Sequence, residues 1–280
     1  MATLDEKRDR LLALLRSFES CAVAFSGGVD SGVLAKAAQL ALGDRAVAVT
    51  GVSPSLAAGE LAEASRCAAQ IGIRHCTIET GEFENPSYTR NESDRCFHCK
   101  DELYGQVERL RRELNVAVVA NGANLDDQGD YRPGMRAARD HEVRSPLLEC
   151  ELDKEDVRRL AASWELAVWD KPASPCLSSR IAYGEEVTEE RLRMVDAAEQ
   201  YLKSLGLVEL RVRYHRGDLA RIEVSVDDLA RLAEPECRRR LTDRLLKLGF
   251  RYVTLDLSGF QSGSLNSLIA AETIVAEHRR

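Results

Sequence analysis

Three groups of side chains in this sequence could do covalent or phosphate chemistry. The first lies in KPASPCLSSR, residues 171–180, where Cys176 follows two prolines and precedes Ser179 and Arg180. A thiol there is either a spare loop cysteine or a reacting atom, and the stretch alone leaves both open. The second is RCFHCK, in which Cys96 and Cys99 stand three apart. On a helix that spacing puts both thiols on one face. A helix N-terminus there, with Arg95 and Lys100 nearby, would favour thiolates. Such a pair can bind zinc or an iron–sulfur cluster, act as a redox dithiol, or simply be two partly buried thiols. His98 points elsewhere by spacing and reads as a surface histidine. The third group is SGGVDS, residues 26–31. Its glycines let backbone N–H groups converge on an anion, and Ser26 and Ser31 add hydroxyls. Asp30 is a carboxylate where a phosphate loop disfavours one, unless Mg²⁺ bridges it to the phosphates.

The elements around these groups must hold them in place. CAVAFSGG reads as a short apolar strand running into the glycine loop, and DSGVLAKAAQLAL as the helix behind it. RAVAVTGV, RHCTIET and VAVVANG are further strands, separated by the helical stretches LAAGELAEASRCAAQIG and the segment that begins with the cysteine pair. Gly72 is the expected stop of the former. A polar loop spans 124–142, and DKEDVRRLAASWEL is the next helix. AVWDKP reads as a strand ending just before Cys176. Strand and helix alternate, and the strands are continuous apolar runs. That is the signature of a mostly parallel, doubly wound sheet covered on both faces. After about residue 183 the order changes to helix, two strands turning at Gly217-Asp218, helix and strand. The expected architecture is therefore α/β, with a nucleotide-binding domain over 1–182 and a smaller α+β domain over 183–280.

Composition narrows the function classes. The 280 residues are 44% hydrophobic, enough for one large or two modest cores. With 30% charged residues of interspersed sign and a net charge of -7, a uniformly basic nucleic-acid binder is disfavoured. No apolar run is long enough to span a bilayer, and the start MATLDEKRDRLLALLRSF lacks a secretory apolar core. A cytoplasmic protein with no membrane and no nucleic-acid partner is expected. Its eight cysteines then suit metal binding, catalysis or burial better than disulfides. Cys21, Cys67, Cys76, Cys150 and Cys237 read as small hydrophobes.

SGGVDS lacks the spacing of a Walker A loop and resembles the signature of the PP-loop ATP pyrophosphatases. Members of that superfamily split ATP between the α and β phosphates to adenylate a substrate oxygen. GANLDDQGDYRPG follows a strand, and by the same resemblance it closes over nucleotide and Mg²⁺. The implied ATP set is Ser26, Gly27, Gly28, Val29, Asp30, Ser31, Gly122, Asn124 and Asp127, with Asp126 beside them and Asp30 on Mg²⁺.

The ordered set SGGVDS, RCFHCK, GANLDDQGDYRPG, SPLLECELDKEDVRRLA, KPASPCLSSR, RVRYHRGDLARIEV and LSGFQSGSLN is similar, over nearly the whole chain, to the LarE family. These are ATP-dependent sulfur transferases of nickel-pincer nucleotide cofactor biosynthesis. The resemblance implies that the carboxylates of pyridinium-3,5-biscarboxylic acid mononucleotide are adenylated and then converted to thiocarboxylates. In one form of the family, the cysteine matching Cys176 gives up its own sulfur. In the other, three cysteines hold a [4Fe-4S] cluster with a labile sulfide; Cys96, Cys99 and Cys176 are the full set, which favours the cluster here. Ser179 and Arg180 would orient the thiolate or the acyl adenylate. Arg211 and Arg213, two apart on a strand, would take the substrate phosphate. Glu199 and Glu223 match acidic positions serving the active site or a metal. Gln261 departs from the family's usual basic residue in the tail. A homo-oligomer, up to a hexamer, is the implied assembly. A PP-loop tRNA thiolase is the alternative, which the net charge and the absence of a separate basic domain disfavour. A nucleotide sensor would need neither Asp30 nor the cysteine trio.

Overall fold

The computed structural model describes residues 2–129, 133–261 and 265. In chain order the elements begin α1 (Leu4–Arg16), β1 (Cys21–Ala24), α2 (Val29–Leu42), β2 (Ala46–Val52), α3 (Glu60–Ile71) and β3 (Arg74–Glu79). There follow α4 (Pro86–Thr89), α5 (Arg95–Leu114), β4 (Val118–Ala120), α6 (Pro133–Asp140), α7 (Pro146–Glu149) and α8 (Lys154–Ser163). The last third holds α9 (Glu189–Ser204), β5 (Leu210–His215), β6 (Leu219–Val224), α10 (Val226–Ala233), α11 (Pro235–Lys247) and β7 (Tyr252–Leu255). The chain forms two compact units. The first comprises Met1–Ser53, Gly59–Glu82 and Cys96–Ser174, and the second Pro54–Ala58, Phe83–Arg95 and Pro175–Arg280.

In the first unit a four-stranded sheet runs β3-β2-β1-β4, and every adjacent pair is parallel. The apolar runs are buried on both sides, and alternation along each strand separates two cores. Cys21, Val23, Ala46 and Ala48 pack with residues of α1, α2, α3 and α8. Ala22, Val47, Val49 and Val119 pack with Tyr104 and Val107 of α5 and with Ala137 and Ala138 of α6. The expected doubly wound α/β order is what this unit adopts. Its strand order reverses at β1, which lies between β2 and β4. In such sheets the crevice beyond the strand ends at the reversal is where ligands bind. The glycine loop after β1 and the loop after β4 flank that crevice.

Local sequence accounts for the element ends. Thr3 and Glu6 form a reciprocal capping box at α1. Gly72 stops α3 in the left-handed region, as its position predicts. Two expectations fail. AVWDKP forms turns rather than a strand, because its Val168, with Leu166 just before it, is buried against the core. The polar stretch 124–142 is not all loop, since α6 lies within it.

The second unit pairs β5 and β6 antiparallel through a tight turn. Three residues, 216–218, connect the paired His215 and Leu219, and two of them, Gly217 and Asp218, take positive φ to close so short a loop. β7 joins β6 in parallel after α10 and α11, and the sequence reading missed α10. Helix α9 packs on β5, burying Leu192, Val195, Ala198 and Leu202 opposite a strand that buries Val212 and Tyr214. KPASPCLSSR divides between the units at Ser174–Pro175, ahead of the 182/183 boundary read from the sequence. Residues 130–132 of the second loop, and 262–264 and 266 of the tail motif, lie outside the described residues. Among the described residues, no helix is long and apolar enough to cross a membrane.

Burial sorts the cysteines. Cys21, Cys67 and Cys150 are buried, whereas Cys96 and Cys176 are exposed. Burial pushes the Cys21 thiol up to about 12 and raises Cys67 and Cys150 as well. Native protein treated with iodoacetamide near neutral pH is expected to be alkylated at Cys96 and Cys176, and at Cys21 only after unfolding. Peptide mapping by mass spectrometry checks this.

Candidate active site

The glycine loop is shaped by close approach. Gly27 has φ +72°, and a Cβ there would lie 2.8 Å from Ala64 Cα on α3. Backbone cannot yield at that distance, so only glycine fits. Gly28 begins α2 with no side-chain hydrogen bond, leaving the first amides of the helix without a capping side chain. Val29 is buried in the core, so the loop can draw only on its backbone. Ser31 Oγ donates to Gly28 O at 3.1 Å and lies 3.2 Å from Ser26 Oγ. The second loop crosses directly over this start. A Cβ on Gly122 would sit 2.9 Å from Ser31 N.

Asp30 joins the loops. Asn124 Nδ2 donates to Asp30 Oδ1 at 2.9 Å, and Lys154 of α8 forms an ion pair with Asp30 Oδ2. The second loop is wired internally as well. Asn124 N donates to Asp127 Oδ2 and Asp126 N to Asn124 Oδ1, both at 3.0 Å. The structure thus brings together Ser26–Ser31, Gly122, Asn124 and Asp127 as the sequence reading grouped them, and adds Lys154. Hard carboxylate oxygens at an uncapped helix start are a donor set that suits Mg²⁺ with polyphosphate.

Cys96 and Cys99 occupy the first turn of α5, with Cys96 exposed and Cys99 half-buried. Helix α6 packs beside this turn: Arg136 stacks 3.9 Å over Phe97, and a Cβ on Gly134 would lie 3.0 Å from Lys100 Cγ. Two thiols one turn apart are ligands of the kind an iron–sulfur cluster takes. Among the described residues, neither unit by itself gathers three or more His, Cys, Asp or Glu side chains for a metal ion. Cys176 belongs to the second unit.

Cys176 is exposed and caps a 3-10 turn over Leu177–Arg180. Ser179 and Arg180, expected to orient the thiolate or the acyl adenylate, both donate to the Cys176 carbonyl. Ser179 Oγ donates to it at 2.7 Å and Arg180 Nη1 at 3.0 Å. Arg180 also donates to Pro175 O and is paired with Glu199 at 3.0 and 3.2 Å. Glu199 Oε1 further accepts from Val212 N at 3.1 Å, which fixes it against β5. Arg213 grips Glu223 Oε2 at 3.1 and 2.9 Å and donates to Ser179 O at 3.1 Å. Arg221 lies 3.1 Å from Glu223 Oε1. Glu199 and Glu223, expected to serve the active site or a metal, are thus engaged in neutralising buried guanidiniums. Arg211 is half-buried, and its guanidinium is 5.2 Å over the Phe260 ring. Desolvation lowers its pKa, and repulsion from Arg180 adds to this.

A floor that the sequence reading missed lies beneath the turn. Tyr88 Oη is 2.7 Å from Ser178 Oγ, Arg95 donates to Ser178 O at 2.7 Å, and Asn91 Nδ2 reaches Ala182 O at 2.8 Å. The available signal was Asn91 itself, an asparagine in a polar stretch, a residue type that tolerates the left-handed backbone it adopts here at φ 57°. Removing one partner of a buried ion pair leaves the other charge uncompensated. Glu199→Ala is therefore expected to destabilise the protein by about 3–5 kcal/mol, read as a lowered urea midpoint.

No protein-family model matches the chain. It is 44% identical over 266 residues to an uncharacterised protein of Synechocystis, an alignment covering 95% of this chain and 99% of that one. An uncharacterised protein of Methanocaldococcus jannaschii is 28% identical over 173 residues, 62% of this chain and 66% of its own length. The pyridinium-3,5-bisthiocarboxylic acid mononucleotide synthase of Lactiplantibacillus plantarum is 36% identical over 278 residues, which cover 96% of this chain and 97% of the synthase. Likeness of that degree from end to end means that this chain belongs to the family of that synthase, the LarE family.

Proposed function

We propose that the protein is an ATP-dependent sulfur transferase acting on pyridinium-3,5-biscarboxylic acid mononucleotide. The observation that carries this reading is the full-length likeness to the bisthiocarboxylic acid mononucleotide synthase. The geometry of the glycine loop supports it. The uncapped start of α2 suits the phosphates, and Asp30 suits Mg²⁺, which when bound would offset phosphate charge. A substrate carboxylate oxygen attacks the α-phosphorus of ATP and pyrophosphate leaves. A sulfur nucleophile then attacks the acyl carbon, and AMP departs with the electrons of its C–O bond, leaving a thiocarboxylate. Activation is needed because a carboxylate is a poor electrophile at neutral pH, whereas an acyl adenylate has a good leaving group.

In the sulfur step the chain's residues divide their work. Arg180 and Ser179 fix the peptide of Cys176, while Glu199 and Glu223 hold Arg180 and Arg213 in place. Arg211, half-buried on β5 with its guanidinium donating to Leu210 O and lying over the Phe260 ring, is the residue proposed for the substrate phosphate, with Arg213 two residues along the same strand. If a [4Fe-4S] cluster is the source, Cys96, Cys99 and Cys176 are the residues that, by the family likeness, would hold it, and it would supply a labile sulfide. If Cys176 is the source, its thiolate forms a thioester and loses its Cα proton. The Cβ–S bond then breaks, leaving dehydroalanine. The second unit exposes Val208, Val226, Tyr252 and Leu257, a supply of apolar surface for the proposed homo-oligomer.

Cys176→Ala is expected to keep substrate-dependent pyrophosphate release within about threefold of wild type and to lose thiocarboxylate formation. Phosphate assay and mass spectrometry of the product read the two steps separately. Wild-type thiocarboxylate yield in this variant would refute the role of Cys176. Cys96→Ala separates the sulfur sources: it stops product formation in the cluster form. In the sacrificial form it leaves one turnover, with Cys176 lighter by one H₂S.

A further inference from the structure

The Asp30 carboxylate already has a cation. Lys154 Nζ pairs with Asp30 Oδ2, while Asn124 Nδ2 takes Oδ1. Lys154 lies outside both SGGVDS and the GANLDD loop, 124 residues along the chain from Asp30. It is the first residue of α8, directly after the cap Asp153, whose side chain accepts from Asp156 N at 2.8 Å. That position disfavours a lysine, because a helix N-terminus carries partial positive charge. The next two residues, Glu155 and Asp156, are the acidic ones that such an end prefers. The ammonium is held there by Asp30. The backbone adds a second tie, since Lys154 N donates to Asp126 Oδ2 at 3.1 Å.

A Mg²⁺ ion on Asp30 needs the lone pairs that Lys154 now occupies. The lysine can leave, because both side chains are about a third exposed, at 36% and 29%. It is a compact charge on a flexible stem, unlike a bidentate guanidinium. Its departure need not release α8. The first turn of that helix is pinned independently by Lys7 Nζ on Asp156 Oδ2 at 2.5 Å, and the same ammonium donates to Glu151 O, just ahead of the helix, at 2.7 Å. A displaced ammonium beside a bound polyphosphate has an immediate new partner.

We propose that Lys154 is an exchangeable counter-ion. It neutralises Asp30 before nucleotide binds, yields that carboxylate to Mg²⁺, and then pairs with the β and γ phosphates that leave as pyrophosphate. This rests on the ATP-dependent reading above. It makes Lys154 a positioning group for the leaving group as well as a guard on the metal site.

The test uses the full chain, a fluorescent ATP analogue and inorganic pyrophosphate. At fixed, saturating nucleotide, Lys154→Met is expected to lower the half-saturating Mg²⁺ concentration several-fold, because the competitor is gone. Lys154→Arg is expected to raise it, because a guanidinium holds a carboxylate with two hydrogen bonds. At saturating Mg²⁺, Lys154→Met is expected to weaken pyrophosphate binding about tenfold, and Lys154→Arg much less. Lys7→Met, which breaks only the structural pair, should lower the urea midpoint and leave both ligand readings at wild-type values. If wild type binds the ligands and neither Lys154 variant shifts the Mg²⁺ requirement or pyrophosphate affinity, the proposal is overturned and the functional reading stands. If wild type binds neither the nucleotide nor pyrophosphate, the functional reading falls and takes this proposal with it.

Discussion

The Asp30 carboxylate is the constraint around which the first unit is arranged. It sits in the first turn of α2, where the helix start favours an anion and where a phosphate ligand would also be drawn. Those two preferences conflict unless a cation accompanies the ligand. The surrounding elements are placed to manage that conflict. Strand β1 delivers Gly27 and Gly28 at the reversal of strand order, Gly122 brings the second loop onto Ser31, and α8 supplies Lys154. Replacing either Gly27 or Gly122 with a larger residue would press a side chain against backbone, so the loop geometry and the charge arrangement stand or fall together.

The second unit solves a different problem, which is holding an exposed sulfur on a fixed peptide. The Cys176 carbonyl accepts from Ser179 Oγ and Arg180 Nη1, and the adjoining carbonyls from Arg95, Arg180 and Arg213. Three buried guanidiniums in one place are untenable without carboxylates, and Glu199 and Glu223 provide them at 2% and 0% exposure. The network therefore serves the backbone while the thiol stays open to solvent. A rigid peptide with an accessible side chain is what a sulfur donor or cluster ligand requires.

Much of this was legible in the sequence, for identifiable reasons. Continuous apolar runs ending in SGG and NGAN gave the parallel strands and the switch-point loops, because those features are local. The positive-φ pair Gly217-Asp218 announced its hairpin for the same reason. What failed was non-local. AVWDKP has the composition of a strand but packs as turns, with Val168 in the core. Arg180 and Ser179 lie beside Cys176 in sequence, but spacing does not show that both side chains donate to its carbonyl. The partners Glu199 and Glu223 looked like independent acids because nothing in spacing pairs residue 180 with 199 across a helix. Tyr88, Asn91 and Arg95 reach residues some 83 to 91 positions away, and Lys154 reaches Asp30 over 124. No periodicity reports contacts of that range.

The account turns on Asp30 coupling nucleotide to metal, and calorimetry of ATP binding to Asp30→Asn, with and without Mg²⁺, tests it most directly. The substitution keeps size and hydrogen-bonding capacity while removing the charge. The expected result is wild-type binding that strengthens with Mg²⁺, and mutant binding at least about tenfold weaker and insensitive to the ion. Mutant binding with wild-type affinity and wild-type Mg²⁺ dependence would contradict it.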